Sequence, residues 1–444
     1  MSSLMLAVLA GVILLLFMIL KLKLPAFLSL LVSSIVVGLL AGLNGAEVIN
    51  SIKNGMGSSL GFVATVVGLG ALFGGILEIS GGAKAIAQHL LKAFGENNSG
   101  MSLGFTGFLV AIPVFFDVAF IILIPVIYAL QKSTGKSLLH YAIPLLSGLA
   151  VTHSFIPPTP GPIAVADIIN VPLGWVMLVG IIAGIPTMIV SGIIFGRYIG
   201  NKIFIDAPED YADAPEELEL PNFYKILGII LLPILLIVLN TFTSEGFIPI
   251  ESESTKDIIK LLGHPFIALI IANLIAWYAL GKAGGFSSEQ LLEVSSKSLK
   301  PAGVIILLTG AGSVFKQVLV DTEAGSMMAT ALSEIGMPVI LFAFIAAVLV
   351  RVIQGSATVA MITAAGLVYP FLQGNDFSGM QLGSIVIAIA SGASIFSHVN
   401  DSGFWLVKEY LGMTEKETFQ SWTMMTGVLA MTGFSISLIL FWIF

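Results

Sequence analysis

The stretch VTHSFIPPTPGPIAVAD (residues 151–167) interrupts a strongly apolar region with four prolines, a histidine and an aspartate. Proline removes a backbone donor and disfavours helix at the preceding residue, so the run FIPPTPGP cannot continue a helix. Backbone without helical hydrogen bonds is tolerated at membrane depth only where it is buried in protein or lines a watery cavity. The stretch therefore predicts a gap between two half-helices beside a buried polar site.

The surrounding chain has the composition of a helical membrane protein. Hydrophobic residues make up 57% of its 444 residues and charged residues 10%, against roughly 25% charged residues in soluble proteins. Apolar stretches of about 18 or more residues recur along the chain, each long enough to span a bilayer. The alternating segments of about 10 residues that a transmembrane barrel requires are missing. Without cysteine, disulfides and thiolate metal sites are excluded.

We predict an all-helical polytopic protein with ten crossing helices and two re-entrant hairpins. The crossings lie near 4–20, 26–43, 59–79, 138–170, 174–196, 223–241, 264–281, 301–320, 380–409 and 421–443, and those at 138–170 and 380–409 are broken. The hairpins are the regions 102–131 and 338–371, each interrupted near its centre. With both termini outside, most of the 19 lysines and arginines lie on the cytoplasmic side, as the positive-inside rule requires. This bias does not distinguish a hairpin from two full spans.

An internal repeat organises the chain. GLGALFGGIL (68–77) resembles GAGSVFKQVL (310–319), and SGLAVTHSFIPP (147–158) has its counterpart in SGASIFSHVNDS (391–402). An odd number of crossings separates the copies, so the repeats are inverted, which is typical of secondary transporters. The resulting division is scaffold helices at 1–58, a first repeat at 59–200, an acidic cytoplasmic linker at 201–222, further scaffold helices at 223–300 and a second repeat at 301–444.

Four polar clusters lie at predicted membrane depth, one at each hairpin tip and one at each helix break. In the first half they contain Asp117 at the tip and His153, Ser154, Thr159 and Gly161 at the break. In the second half they contain Arg351, Gln354, Gly355, Ser356 and Thr358 at the tip, and His398, Asn400, Asp401 and Ser402 at the break. Because inverted repeats place their broken elements around one axis, we predict that these residues form a single substrate-binding site.

Each ionisable residue of these clusters has a structural and a functional interpretation. Asp117 caps the second hairpin helix, or it has a function that compensates the roughly 2.5–3.5 kcal/mol cost of a charge at the bilayer centre. His153 and His398 bond to carbonyls freed by the breaks, or they contact substrate or a proton. Arg351 meets a substrate carboxylate as a bidentate partner or pairs with an internal acid. Asp401 caps the following half-helix or acts directly.

Carrying an anion inward requires a coupling group. Movement against the membrane potential costs about 2.3 kcal/mol per charge per 100 mV, and a co-transported proton cancels that cost. If the coupling ion is a proton, as the family resemblance given below implies, the carrier needs a side chain that binds a proton outside and releases it inside. Asp117 is the first candidate, because desolvation at a hairpin tip favours a neutral carboxyl group. Asp401 and the histidines, His153 first, are the alternatives.

Five motifs of this chain resemble the gluconate permease family within the ion transporter superfamily. They are GFVATVVGLGALFG (61–74), FFDVAFIILIPVIYAL (115–130), HSFIPPTPGPIAVA (153–166), QGSATVAMITAAG (354–366) and SHVNDSGFWLVKEYLGMT (397–414). The resemblance covers essentially the whole chain. It implies a bacterial inner-membrane symporter, driven by protons, for gluconate or a related small hydroxy- or amino-carboxylate, D-serine included. It also implies a homodimer in which a transport domain moves against a scaffold, as in elevator-type transporters.

Other classes of function fit the sequence less well. An intramembrane enzyme would need a catalytic motif such as H-E-x-x-H, and a channel would be expected to form its pore from symmetric subunits. Coupling to Na⁺ stays open, because unwound backbone carbonyls can coordinate that ion. The expected partners are a small carboxylate, protons, the lipid bilayer and a second copy of the chain. No cofactor, metal or nucleic acid is expected.

Overall fold

The computed structural model describes residues 3–95, 98–208, 220–244, 246–322, 336–399 and 401–444, and within these ranges the protein is helical without strands. The α-helices are Ser3–Leu20, Ala26–Leu40, Gly45–Ile79, Gly82–Phe94, Ser99–Val110, Phe116–Thr134, Leu139–Phe155, Pro160–Ile169, Leu173–Met188, Phe195–Lys202, Phe223–Ser244, Glu253–Leu262, Pro265–Ala276, Ser288–Asp321, Val339–Gln354, Ala357–Val368, Gly379–Ser394, Ser402–Tyr410, Glu415–Thr418 and Met424–Ile443. Wide π turns extend three of them, at Ile189–Ile194, Trp277–Lys282 and Phe419–Thr423.

Eight helices in the described ranges are long and apolar enough to cross a membrane. The chain is therefore a multi-pass membrane protein, as its composition predicts. Ten crossings, their orientation and the inverted repeat stay predictions. By length and composition, the helix Phe116–Thr134 of the first predicted hairpin is one of these eight. The re-entrant path of that hairpin therefore stays a prediction as well.

Two long helices, Gly45–Ile79 and Ser288–Asp321, pack against each other along much of their length. They have 35 and 34 residues, more than the roughly 20 that a crossing needs. Gly55 lies where they meet, and a Cβ atom there would be 2.6 Å from the Cα atom of Val314. Only glycine allows this approach of the two backbones.

Both long helices begin earlier than predicted, because each starts at a capping box. The Asn44 side chain accepts from the backbone amide of Glu47, whose carboxylate accepts from the amide of Asn44 in return. Ser287 and Gln290 form the same arrangement. Such a box satisfies backbone donors that the first helical turn leaves free. As a result, the predicted boundaries at 58/59 and 300/301 fall inside continuous helices.

Two helical hairpins have their turns at the predicted interruptions. The first hairpin consists of Ser99–Val110 and Phe116–Thr134, and the second of Val339–Gln354 and Ala357–Val368. The second hairpin turns at Gly355, whose φ of 91° lies in the left-handed region that favours glycine. The short turn lets a new helix begin directly at the tip.

Two broken helices lie beside the hairpins. The first broken helix stops at Phe155 and resumes at Pro160; the second stops at Ser394 and resumes at Ser402. In the most apolar window of the first, 89% of residues are buried, so this element belongs to the protein core rather than to the lipid surface. The breaks adjoin each other, since Ser394 Oγ donates to Ser154 Oγ at 3.0 Å.

One connecting segment contains a helix that the sequence analysis does not predict, and another lies largely outside the described residues. The connection between the predicted crossings 223–241 and 264–281 contains a further helix, Glu253–Leu262, which begins at an N-cap serine and buries none of its residues. Within the predicted acidic linker 201–222, residues 209–219 lie outside the described part of the chain. The linker therefore stays a sequence prediction.

Candidate substrate-binding site

Both hairpin tips and both helix breaks meet at one cavity of about 570 Å³. The tips contribute residues 115–118 and 355–358, and the helix Glu415–Ile443 closes one side. The predicted site residues that the structure brings together here are Asp117, His153, Ser154, Arg351, Gly355, Ser356, Thr358, Asp401 and Ser402. The four polar clusters thus form a single site.

Two predicted residues of the first break lie outside the cavity lining. Thr159 Oγ1 donates to the carbonyl oxygen of Ile156 at 2.5 Å and holds the bend of the break itself. Gly161 packs against Met361, where an added Cβ would lie 2.8 Å from the sulfur. Both residues shape the break rather than the cavity surface, because the proline-rich turn directs them into the protein core.

His398 also lies outside the cavity. Its Nε2 atom is 2.9 Å from the carbonyl oxygen of Val352 and ties the second break to the second hairpin. Of the two interpretations of this histidine, the structural one is realised. Asn400 and the side chain of Gln354 lie outside the described part of the structure, so their predicted roles stay predictions.

Three helices begin at the cavity wall. The first residues of Phe116–Thr134, Ala357–Val368 and Ser402–Tyr410 line it. Amide groups of a first helical turn lack partners within the helix, and together with the helix dipole they favour negative charge. No side chain caps Phe116–Thr134, so its first amides keep their donor capacity. The arrangement suits a carboxylate ligand.

Asp117 is the second residue of the helix Phe116–Thr134 and is exposed to the cavity. Its carboxylate does not cap that helix, so the capping interpretation is wrong. Among the residues that the structure describes, Asp117 has no ion-pair partner within 4.0 Å. The cavity therefore contains a carboxyl group whose charge no neighbouring cation neutralises.

Asp401 has the opposite environment. It forms an ion pair of 2.6 Å with Arg351, and the two side chains are only 16% and 4% exposed. Arg351 also donates to the carbonyl oxygens of Gly355 and, at 3.4 Å, of Ile395. One oxygen of Asp401 accepts from the amide of Gly403 at 3.2 Å, which caps the half-helix as predicted. Arg351 thus pairs with an internal acid, one of its two predicted roles.

His153 lines the cavity and has an unsatisfied ring nitrogen. Its Nδ1 atom is buried and has no hydrogen-bond partner among the described residues. The ring lies edge-on to Phe115, with 6.4 Å between centroids. Buried polar atoms without a partner are rare and call for an explanation. Because this nitrogen is not exposed to the cavity, a ligand in the cavity does not reach it without a movement of the ring.

Hydroxyl groups and aromatic rings share the remaining wall. The seven hydroxyl side chains are Ser154, Ser356, Thr358, Ser394, Ser397, Ser402 and Thr426. The apolar part includes Phe115, Phe116, Trp422 and Leu429. Such a wall can form hydrogen bonds with the hydroxyl groups of a ligand and can cover the carbon atoms of the same ligand with apolar side chains.

A second cavity of about 540 Å³ adjoins the first. Phe115 and Val118 of the first hairpin line both cavities. The second cavity is also lined by Glu78 near the end of Gly45–Ile79, by Lys84 of Gly82–Phe94 and by Lys297 of Ser288–Asp321. Only the tip of the first hairpin separates the polar site from this second space.

The family model for the GntP family permease matches residues 3–443 of the chain. The protein belongs to the GntP permease family. The permease is 40% identical over 440 residues to the low-affinity gluconate transporter of Escherichia coli (strain K12), covering 99% of this chain and 98% of that one. It is 37% identical over 443 residues to the gluconate permease of Pseudomonas aeruginosa, at 99% and 98% coverage. The permease is 35% identical over 427 residues to the Gnt-II system L-idonate transporter of Escherichia coli (strain K12), covering 96% of this chain and 96% of that one.

A more distant likeness concerns the fold alone. The YdaH transporter of Alcanivorax borkumensis superposes on the permease with a TM-score of 0.63 at 14% identity, covering 90% of each chain. Neisseria gonorrhoeae MtrF gives a TM-score of 0.64 at 14% identity, covering 88% of the permease and 83% of its own chain. The helical architecture is thus shared with solved transporters.

The permease is a transport protein and not an enzyme. One pentapeptide, GSSLG (57–61), matches the G-x-S-x-G pattern of a nucleophile elbow. That pattern activates serine only on a strained turn between a strand and a helix. Here it lies inside the continuous helix Gly45–Ile79, so it has no catalytic context.

Four polar or aromatic residues of the permease site escape the sequence analysis. Ser394 and Ser397 lie in the quoted stretch 391–402, but only His398, Asn400, Asp401 and Ser402 of that stretch are among the predicted site residues. Trp422 and Thr426 belong to a helix that reads as an ordinary apolar crossing. No local signal in the sequence distinguishes these two, because only tertiary packing brings that helix to the breaks.

Proposed function

We propose that this permease imports gluconate, or a closely related small hydroxy-carboxylate, together with protons across the bacterial inner membrane. The observation that carries the proposal is the single cavity in which three helices begin, one of them without a side-chain cap, and seven hydroxyl side chains share the wall with Asp117, which has no ion-pair partner among the described residues. A sugar acid has the matching chemistry, with a carboxylate at one end and hydroxyls along the rest. Relatives at 40% and 37% identity that are named for gluconate support this substrate.

The two ends of such a substrate meet different parts of the wall. Its carboxylate is placed at the helix N-termini, where backbone amides and the helix dipole favour an anion. Its hydroxyls are placed along the serines and threonines of the wall. A relative named for L-idonate at 35% identity makes that sugar acid a further candidate substrate.

Asp117 is proposed as the proton-binding group. Its carboxylate would repel an anionic substrate, and protonation removes that repulsion, so proton and substrate favour each other's binding. Asp401 is less suited, because Arg351 and the amide of Gly403 stabilise its charged form. The proton thereby compensates the electrical cost of bringing in an anion.

Alternating access is proposed to follow the elevator type. The hairpins and broken helices carry the polar site and would move together against the scaffold helices, which join two copies into a homodimer. In the predicted orientation, Lys84 and Lys297 of the second cavity lie near the cytoplasmic face. The substrate would then leave past Phe115 and Val118, the residues common to both cavities.

Uptake into proteoliposomes tests the proposal. Purified permease should accumulate labelled gluconate when an inward proton gradient is imposed, and excess unlabelled gluconate should compete. L-Idonate and D-serine serve as competing substrates, and an inward Na⁺ gradient without a proton gradient tests the other coupling ion. Accumulation on Na⁺ alone would overturn proton coupling, and competition by D-serine but not by gluconate would overturn the substrate assignment.

A further inference from the structure

We infer that a chain of four side chains, Trp422, Ser397, Asp401 and Arg351, positions the second hairpin tip and the second helix break for substrate binding. The inference rests on the proposed function and specifies how the site is held in shape. In this inference, all four are positioning residues. Arg351 affects the substrate by holding other residues in place and does not contact the substrate carboxylate itself.

The hydrogen bonds of this chain converge on Asp401 from two sides. Trp422 Nε1 donates to Ser397 Oγ at 2.7 Å, and Ser397 Oγ donates onward to Asp401. From the other side, Arg351 Nη2 donates to Asp401 Oδ2 at 2.6 Å. An indole N–H and a guanidinium can only donate, and a hydroxyl has one hydrogen to pass on. Asp401 therefore accepts every hydrogen bond that reaches it through this chain.

This chain of hydrogen bonds connects the second hairpin tip with the second helix break. On the hairpin side, Arg351 holds the carbonyl oxygen of Gly355 at the tip and that of Ile395 at the break. On the other side, Asp401 caps the half-helix through the amide of Gly403. Loss of one link would therefore displace the beginnings of two helices that line the cavity.

The break is also fastened to the helix Glu415–Ile443 through its backbone. The amide of Ser397 donates to Thr426 Oγ1 at 3.0 Å, and Thr423 Oγ1 donates to the carbonyl oxygen of Ser397 at 2.5 Å. Ser397 is 1% exposed and Trp422 is 3% exposed. Backbone groups freed by the break thus find partners, and the indole forms a fixed wall of the cavity.

The charge of Arg351 is already balanced within the protein. Each of its three nitrogens donates to a protein acceptor, and the side chain is 4% exposed. A guanidinium in this state does not need a substrate carboxylate. Removal of either member alone would leave a buried charge without its partner, which is more harmful than removal of both.

This asymmetry gives a test that uses the full-length permease in lipid nanodiscs and D-gluconate as the probe. Calorimetry should show that Arg351→Gln and Asp401→Asn each weaken gluconate binding about ten- to a hundredfold, the effect of losing a hydrogen bond to a charged group. The double variant Arg351→Gln/Asp401→Asn should bind more tightly than either single variant. Asp401→Glu should recover part of the affinity.

The opposite pattern would overturn the inference. If Arg351 held the substrate carboxylate directly, Asp401→Asn would free the guanidinium and tighten gluconate binding. The double variant would then bind as weakly as Arg351→Gln. Lys256→Gln is the matched control, because it removes an exposed ion pair with Glu253 (2.7 Å) away from the cavity, and it should leave the affinity unchanged.

A milder change tests the far end of the chain without removing a buried charge. Trp422→Phe keeps an aromatic wall but deletes the N–H that donates to Ser397. We expect gluconate affinity to fall several-fold, as for the loss of one neutral hydrogen bond. Unchanged affinity would separate Trp422 from the chain.

Thermal unfolding without ligand keeps the inference independent of the substrate. The single variants of Arg351 and Asp401 should lower Tm by more than the double variant does. Failure of the wild-type permease to bind gluconate would contradict the proposed function. If the Tm changes of the two single variants simply add in the double variant, the proposed chain of hydrogen bonds is contradicted.

Discussion

Two aspartates face the same cavity in different surroundings. Asp401 is held by Arg351 and by the amide of Gly403, whereas Asp117 has no ion-pair partner among the residues that the structure describes. An ionised carboxylate without a partner is costly at membrane depth, and protonation removes the cost. At the scale of single residues, the site therefore contains one aspartate held in an ion pair and one without an ion-pair partner among the described residues, the proposed proton-binding group.

Neutralising Asp117 should uncouple transport. Asp117→Asn cannot exchange a proton, so accumulation of gluconate driven by a pH gradient should be lost. Exchange of internal for external gluconate should persist, and its dependence on pH should flatten. Both are measured in proteoliposomes, with Asp376→Asn, an exposed aspartate, as the control. Undiminished accumulation by Asp117→Asn would transfer the coupling role to another group, His153 first.

Removing one cavity hydroxyl should weaken binding without changing the shape of the wall. Thr358→Val replaces a hydroxyl by a methyl group at a helix start that lines the cavity. The binding free energy of gluconate should decrease by about 0.5–1.5 kcal/mol, as for the loss of one hydrogen bond. Thr243→Val removes an exposed hydroxyl that bonds its own helix and should change nothing. Equal affinities of both variants would exclude Thr358 from the substrate contacts.

At the scale of elements, the first hairpin lies between the polar site and the long helix Gly45–Ile79. A Cβ atom added at Gly74 of that helix would be 2.1 Å from the carbonyl oxygen of Pro113 near the hairpin tip. The two elements therefore touch through backbone atoms, while Ala71 and Val114 line the second cavity from facing sides. Only glycine at position 74 allows this approach, because any Cβ atom would overlap the carbonyl oxygen.

Fixing this contact should stop transport but not binding. The chain contains no cysteine, so Ala71→Cys combined with Val114→Cys can be bridged by a short bifunctional thiol reagent. If the hairpin moves against the long helix, gluconate uptake should be lost after bridging, while gluconate binding measured by calorimetry persists. Each single-cysteine variant treated with the same reagent is the control. Full uptake by the bridged protein would contradict a moving hairpin.

The elements differ in how far the sequence predicts them. Proline runs and the compact tip QGSA predict the breaks and the second hairpin turn, because these residues act locally on the backbone. The starts of the long helices at 45 and 288 are missed, since hydrophobicity marks the apolar part and the capping boxes at Asn44 and Ser287 extend it. The roles of Thr159 and His398 depend on side-chain direction at the break, which periodicity does not give.

At the scale of the whole molecule, an anion site lies in a chain of formal net charge −7. Net charge acts over distances that salt screens within about 10 Å. The helix N-termini at the cavity act on a bound ligand at contact distance, well within that screening length. Local backbone geometry therefore decides which ion binds. Trp422 and Thr426 show the same limit on prediction, because they reach the site only through the packing of the complete bundle.

A sugar acid should therefore stabilise the folded permease where a neutral sugar does not. A ligand at one hundred times its Kd stabilises the native state by about 2.7 kcal/mol. Gluconate should raise Tm in thermal unfolding, and glucose or sorbitol at the same concentration should not, because they lack the carboxylate that the helix N-termini favour. A Tm rise of equal size with sorbitol would assign the binding energy to the hydroxyl wall alone.

The buried pair of Arg351 and Asp401 also constrains how this sequence can evolve. The side chains of Arg351 and Asp401 are 4% and 16% exposed. A substitution at one position leaves the other charge without its partner, so a protein with only one of the two substitutions should be less stable than one with neither or both. The two positions should thus be inherited together: lineages of the family that have lost the acid at 401 should also have lost the base at 351. An alignment of many members would reveal this covariation, and independent drift at the two positions would contradict it.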